Sequence, residues 1–169
     1  MELSLHSLVV CLTERPRSGV RICFDVGQVR IGVAKCDPDQ ILSVPVMTLQ
    51  VDDQLNAKVF QLIAQIEPGA IYVGLPINLQ GKNTQSTESA ILFAQDLAET
   101  IKTSDTAIEI RLIDERLSTS SALGSLRDSG KSAKESLGLV DQAAAVEILE
   151  LALAIEKRTE ALAGSEIAR

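Results

Sequence analysis

Apolar residues fall into two kinds of run along this chain. Short blocks rich in Val, Ile and Phe mark strands, and longer stretches with an apolar residue every three or four positions mark helices. Residues 20–25 (VRICFD) and 29–35 (VRIGVAK) are blocks of the first kind. The short link through Gly27 makes them a hairpin. Asp37-Pro38-Asp39 is a turn signal, and a third strand follows over 41–49. Pro45 inside it favours a sheet edge, because proline cannot donate to a ladder. Leu55, Val59, Leu62, Ile63 and Ile66 recur at helical spacing over 53–66, and Pro68-Gly69 closes that helix. Ala70 to Leu75 is continuously apolar, as in a strand covered on both faces. A loop over 76–83 leads to a helix over 86–102. Residues 107–113 form a further strand ending at Asp114-Glu115-Arg116. A helix is expected over 118–130, and the last long helix over 136–157. Residues 1–19 read as a loose N-terminal extension and 158–169 as a frayed tail.

A three-strand meander therefore feeds βα units. The expectation is one α/β domain over 20–157, built on a mixed sheet flanked by helices. The length of 169 residues suits a single domain with a substantial core. Phe24, Phe60, Tyr72 and Phe93 are the only aromatics, which argues against base stacking on aromatic platforms. The net charge of −7 argues against broad adhesion to polyanions, so such a partner would need a local basic patch or bound cations. Cys11, Cys23 and Cys36 form no CxxC pair, which points to a reducing compartment. The first residues lack the basic start of a signal peptide, and no segment approaches membrane-spanning length, so the cytoplasm is the expected location. The only histidine is His6, ahead of the first strand. That excludes Ser-His-Asp and Cys-His chemistry and metal centres built on several histidines. An enzyme of this composition works with carboxylates.

Three acidic positions then stand out. Asp25 ends the first strand beside Gly27, where a turn acid accepting backbone amides is the ordinary alternative. Asp114 and Glu115 end the last strand, where an N-cap acid and a solvated Glu–Arg pair are the alternatives. Asp141 precedes Ala145, Ile148, Ala152 and Ile155 at helical spacing, so it lies on the apolar stripe that faces the sheet, with an N-cap at a late helix start as the alternative. Strand ends line the ligand crevice of open α/β sheets. Carboxylates converging there repel one another and need a cation. Mg²⁺ or Mn²⁺ fits oxygen ligands, and two such ions roughly 3.5–4 Å apart would hydrolyse a phosphodiester. Asn78, in the Gly74–Gly81 loop, could contact a phosphate oxygen. Between 116 and 134, Arg116, Arg127, Lys131 and Lys134 stand against one acid, Asp128, a local excess of positive charge that is either a solvated helix-loop face or a guide for a phosphate backbone beside the acids.

Four ordered stretches resemble the YqgF/RuvX family. They are Phe24-Asp25-Val26-Gly27 with Arg30-Ile31-Gly32-Val33-Ala34, then Val73-Gly74-Leu75-Pro76 with Asn78 and Gly81, then Asp114 to Thr119, then Val140-Asp141-Gln142-Ala143-Ala144-Ala145. The resemblance spans about residues 20 to 155. It implies a ribonuclease H-like fold with sheet order 3-2-1-4-5, five strands, and acids above the centre. It also implies a metal-dependent endonuclease, acting on the 5′ end of 16S rRNA precursor or on four-way DNA junctions, as monomer or homodimer. By the same resemblance Asp25, Asp141 and one or both of Asp114 and Glu115 are metal ligands, with Arg30 a phosphate contact. Two departures matter. Gly74-Leu75-Pro76 stands where such nucleases commonly carry an acid at the fourth strand's end, so Glu115 or Asp114 must reach inward across roughly 10 Å. Gln28 and Val29 replace the family's usual Thr and Lys. A non-catalytic binding module of the same fold is the rival reading. An actin-like ATPase would need a second Asp-x-Gly hairpin, which is missing. Asp141→Asn is expected to abolish cleavage and to leave the fold as stable or more so.

Overall fold

The computed structural model describes residues 18–77, 84–102, 108–115 and 133–167. Asn78, Gly81, Arg116, Arg127, Lys131 and the helix expected over 118–130 lie outside these residues, and Lys134 enters only as a backbone position.

The hairpin forms as expected, from β1 (Arg21–Val26) and β2 (Arg30–Cys36). Its turn closes through the Gly27 amide, which donates to the Arg30 carbonyl at 2.9 Å. The third strand, β3 (Ser43–Gln50), pairs antiparallel with β2 and occupies the sheet edge, where Pro45 loses nothing. The register slips beside Pro45, because Val33 faces Met47 whereas Ala34 faces Pro45. Then follow α1 (Leu55–Ile66), β4 (Ala70–Leu75), α2 (Gln85–Lys102), β5 (Glu109–Asp114) and α3 (Ala133–Thr159). Helix α2 starts on a reciprocal cap, in which the Thr84 amide donates to Thr87 Oγ1 at 2.9 Å and the Thr87 amide to Thr84 Oγ1 at 3.3 Å. The Thr87 hydroxyl also donates to the Pro76 carbonyl, which ties the helix to the end of β4.

The sheet order is β3-β2-β1-β4-β5, continued by a sixth strand, β6 (Ser165–Glu166). Strand β1 pairs parallel with β4, and β4 with β5, while β6 returns antiparallel. Five strands and a frayed tail were the expectation; the tail instead turns back along β5. The Arg111 guanidinium holds it, with Nε donating to the Ala163 carbonyl at 2.6 Å and Nη2 to the Gly164 carbonyl at 2.8 Å. Gly164 makes the turn possible, since its φ is +72° and a side chain there would lie 2.1 Å from the Leu112 carbonyl. Ala163 and Ile167 are buried behind it.

Each face of the sheet has its own core. Ile22, Phe24, Val33, Ile71, Val73 and Leu112 point to the face covered by α1 and α2, where Phe24 meets Phe93 at 5.4 Å between ring centres. Cys23, Tyr72 and Ile113 point the other way, onto Ala145, Ile148, Leu149 and Ala152 of α3. The far end of α3 is fixed by Arg21, whose Nε and Nη2 donate to the two Glu156 oxygens at 3.1 Å each. The Tyr72 hydroxyl donates to the same carboxylate. Alternation along β1 thus decides which face Asp25 takes. Phe24 and Val26 go to the α1/α2 side, so Asp25 goes with Cys23 to the α3 side. Among the described residues no helix is long and apolar enough to cross a membrane.

Candidate active site

Asp25 is the fifth residue of β1, where the strand reaches the rim of the sheet. Its partner across the β1–β2 ladder is Gly32, and Gly32 in turn faces Thr48 of β3. On its other side Phe24 pairs with Val73, which puts Gly74 beside Asp25. A row of small residues, Thr48, Gly32 and Gly74, therefore crosses the sheet on either side of the one acid.

Each glycine makes room for a different part of the site. A Cβ on Gly32 would lie 1.9 Å from the Asp141 carbonyl oxygen and 2.4 Å from its carbon. The first turns of α3 thus ride directly on β2, with Asp141 above the Asp25–Gly32 pair. Thr48 holds them there, donating from Oγ1 to the Gly138 carbonyl at 2.9 Å and accepting from Gln142 Nε2 at 3.1 Å. A Cβ on Gly74 would lie 2.5 Å from Glu115 Oε1 and 2.7 Å from Ile148 Cδ1. Glu115 follows β5 and lays its carboxylate inward over β4, through the gap that Gly74 leaves. That is how an acid two strands away approaches Asp25. Asp114 does not share the arrangement. It alternates with Ile110 and Leu112, whose side chains go to the α1/α2 face.

The charges interact as this geometry requires. Burial, and then the Asp141 charge, raise the Asp25 carboxyl from 3.8 to about 6. Burial, then the charges of Asp25 and Asp114, raise Glu115 from 4.5 to about 7. The Cys23 thiol beneath them is raised by its burial and by both Asp25 and Glu115. Asp141 has a cation at hand: Arg30 Nε donates to its Oδ2 at 2.6 Å. Asp141→Asn would remove this ion pair along with the repulsion, so the larger stability gain is expected of Asp25→Asn.

The donors suit a hard divalent cation. Two carboxylates held on one face, both pushed towards protonation by burial and by like charge, gain most from a positive ion between them. The set is not assembled in advance: among the described residues no three His, Cys, Asp or Glu groups are placed to hold one ion. Asp141 is engaged with Arg30, so Asp25 and Glu115 form the ready half of the site.

Two consequences are measurable. Gly74→Ala should push Glu115 off the β4 rim. Both atoms it meets are side-chain ends, so the fold should survive at a cost of roughly 1–3 kcal/mol. Divalent-cation affinity should fall about tenfold or more, which calorimetric titration would read, and an unchanged affinity would leave Glu115 out of the site. The second consequence concerns pH. Unfolded, the two carboxyls titrate near 3.8 and 4.5; folded, near 6 and 7. The folded chain holds more protons than the unfolded one across that interval, so stability falls as pH rises. The loss is absent below about pH 4 and complete above about pH 7. Asp37, lowered mainly by the Leu42 amide, and Asp52, lowered mainly by Lys58, both lose their contributions only below that window. Melts in chelator should run a few degrees lower at pH 8 than at pH 5.5, roughly 3–8 °C, and saturating Mn²⁺ should close the gap.

The sequence singled out Asp25, Glu115, Asp141 and Arg30: the structure pairs Arg30 with Asp141 and puts Asp25 within electrostatic reach of Asp141 and Glu115. Asp114 alternates to the other face, although its charge still reaches Glu115. Gly74 is required for side-chain clearance, not for a turn conformation, and Gly32 and Thr48 were not anticipated. Their signal is faint: each gains meaning only through its partner across the ladder.

Fold and site together define a ribonuclease H-like α/β protein with strand-end carboxylates under a sheet-packed helix. Known proteins agree. A family model described as "RuvX: Holliday junction resolvase" matches residues 19–155, and the chain belongs to this RuvX (YqgF) family. A relative from Clavibacter michiganensis, named "Putative pre-16S rRNA nuclease", is 40% identical over 156 residues, covering 90% of this chain and 94% of the relative. One of the same name from Streptomyces coelicolor is 42% identical over 145 residues, covering 85% and 84%. Among solved structures, Thermus thermophilus RuvC shares the fold at a TM-score of 0.52 and 13% identity, covering 88% of this chain and 99% of that one. RuvC from the same organism in complex with a Holliday junction substrate aligns at a TM-score of 0.55 and 12% identity.

Proposed function

We propose that this chain is a divalent-cation-dependent phosphodiester endonuclease whose substrate is the 16S rRNA precursor, acting in the cytoplasm. The observation that carries the reading is the placement of Asp25 and Glu115 on one sheet face, both raised towards neutrality by burial and by neighbouring carboxylates, Asp25 by Asp141 and Glu115 by Asp25 and Asp114. The names of the relatives support this choice of substrate.

Asp25 and Glu115 would hold Mg²⁺ or Mn²⁺, with Asp141 completing the set. The cation would supply Lewis acidity at the scissile phosphate and water activation at neutral pH, a task for which the described residues offer no histidine base. The protein residues do the rest. Asp25 and Glu115 would give up their retained protons on binding the cation, so cation affinity should rise with pH through about 6 to 7. Gly32 and Thr48 fix the height of α3, and with it the approach of Asp141 to Asp25. Arg30, Asn78, Arg116, Arg127, Lys131 and Lys134 would line the phosphate path. Contacts of that kind position a backbone without reading sequence. The few aromatics suit recognition of backbone shape over splayed bases.

A second reading, cleavage of four-way DNA junctions, is favoured by the family model's description. It would call for a two-fold dimer to meet two scissile strands. Incubating the purified chain and Asp25→Asn with Mn²⁺ and either a structured precursor-like RNA or a four-way DNA junction separates the cases. RNA cleavage that Asp25→Asn loses supports the proposal. Junction cleavage alone supports the second reading. Binding without cleavage of either would leave a nucleic-acid-binding module.

A further inference from the structure

We propose that Arg30 is the resident counter-cation of Asp141, which a divalent cation must displace, and that the displaced guanidinium then takes hold of the substrate phosphate. The inference rests on the metal-site reading above and adds to it how the site is loaded.

Three observations carry it. Arg30 Nε donates to Asp141 Oδ2 at 2.6 Å, a charge-assisted bond that engages one of the carboxylate oxygens and balances its charge. Among the described residues no three-acid cluster is formed for an ion, although Asp25 and Asp141 are near enough for the charge of one to raise the other. The acid that completes the set is therefore turned towards β2 by its arginine. Finally, the two side chains are 27% and 24% exposed, so this pair is neither sealed in the core nor fully solvated. Solvent therefore screens the pair in part, and a doubly charged ion placed between Asp25, Glu115 and Asp141 can outcompete a single guanidinium. The freed guanidinium remains at the rim, beside Val29, which is 65% exposed. A planar fork of donors suits two phosphate oxygens better than one carboxylate oxygen bonded through Nε alone.

An ion pair that merely closes α3 onto β2 predicts something else, namely lower stability without Arg30 and unchanged cation binding. Mn²⁺ titration calorimetry without nucleic acid distinguishes the two, on the full chain and on Arg30→Gln, Arg30→Lys and Asp25→Asn. Arg30→Gln should bind Mn²⁺ roughly five- to tenfold more tightly, Arg30→Lys should stay near the unaltered chain, and Asp25→Asn should lose the site. Arg30→Gln affinity equal to or below that of the unaltered chain, with Asp25→Asn still inactive in binding, overturns the displacement and leaves the metal site standing. Mn²⁺ binding unaffected by Asp25→Asn overturns the metal site itself. The phosphate half is read from the salt dependence of binding to a short RNA hairpin. In Ca²⁺ the slope of log affinity against log salt should be smaller by about 1 for Arg30→Gln, and in chelator the two slopes should coincide. An equal difference in both conditions overturns the coupling.

Discussion

Gly32→Ala is expected to cut cleavage about a hundredfold or more and to lower the melting temperature by roughly 3–10 °C. The substitution adds one methyl group, yet it cannot be absorbed locally. Its Cβ would lie 1.9 Å from the Asp141 carbonyl oxygen, 2.4 Å from the carbonyl carbon and 3.1 Å from the Gln142 amide nitrogen. All three are backbone atoms of α3, so no rotamer change relieves the contact. The helix must rise from β2, and Thr48 must loosen its bonds to Gly138 and Gln142. Overpacking of this kind costs roughly 1–3 kcal/mol. Asp141 moves with the helix, and a displacement of about 1 Å at a catalytic group is enough for a hundredfold loss. Circular dichroism melts and a cleavage assay on one preparation check both parts. Full activity in Gly32→Ala would mean that the height of α3 does not set the site.

Asp25→Asn should reduce cleavage at least about a thousandfold while making the cation-free protein more stable at pH 8. The two effects share one cause. Folding brings the Asp25 carboxyl from 3.8 to about 6, because it is buried and sits below Asp141. Above pH 7 that shift costs roughly 3 kcal/mol, at 1.36 kcal/mol per unit. An amide of the same shape carries no charge to repel, although its own burial offsets part of the gain. A net gain of about 1–2 kcal/mol is expected, seen as a rise of roughly 2–8 °C in chelator. Mn²⁺ should raise the melting temperature of the unaltered chain and leave Asp25→Asn where it was. Below about pH 4 the two proteins should melt alike. A loss of stability in Asp25→Asn at pH 8 would show that Asp25 is a structural turn acid after all.

Much of this was legible in the residues. The apolar blocks gave β1 to β5 to within about two residues, because a buried strand has little choice of composition. The helical spacing around Asp141 placed it on the sheet side of α3, since Ala145, Ile148 and Ala152 share that stripe and are buried. Pro45 marked the edge strand correctly. Other features were hidden for physical reasons. Strand β6 is two residues long and is held by Arg111 and by the positive φ of Gly164, neither of which produces a hydrophobic period. Gly32 looks like an ordinary strand glycine until Asp141, more than a hundred positions later, is laid on top of it. Gly74 likewise acquires its role only when Glu115 crosses β4. The Arg30–Asp141 pair joins two residues that sequence reading had assigned to separate tasks, one to phosphate and one to metal. Long-range approach of this sort depends on ladder register, which a hydrophobic pattern leaves free.

The most direct test is anomalous diffraction from crystals of this chain soaked in Mn²⁺. A peak is predicted on the α3 face of the sheet, about 2.0–2.3 Å from carboxylate oxygens of Asp25 and Glu115, with Asp141 turned from Arg30 towards it. Ordered crystals of active protein that bind Mn²⁺ elsewhere, leaving Asp25 and Glu115 without an ion, would contradict the account.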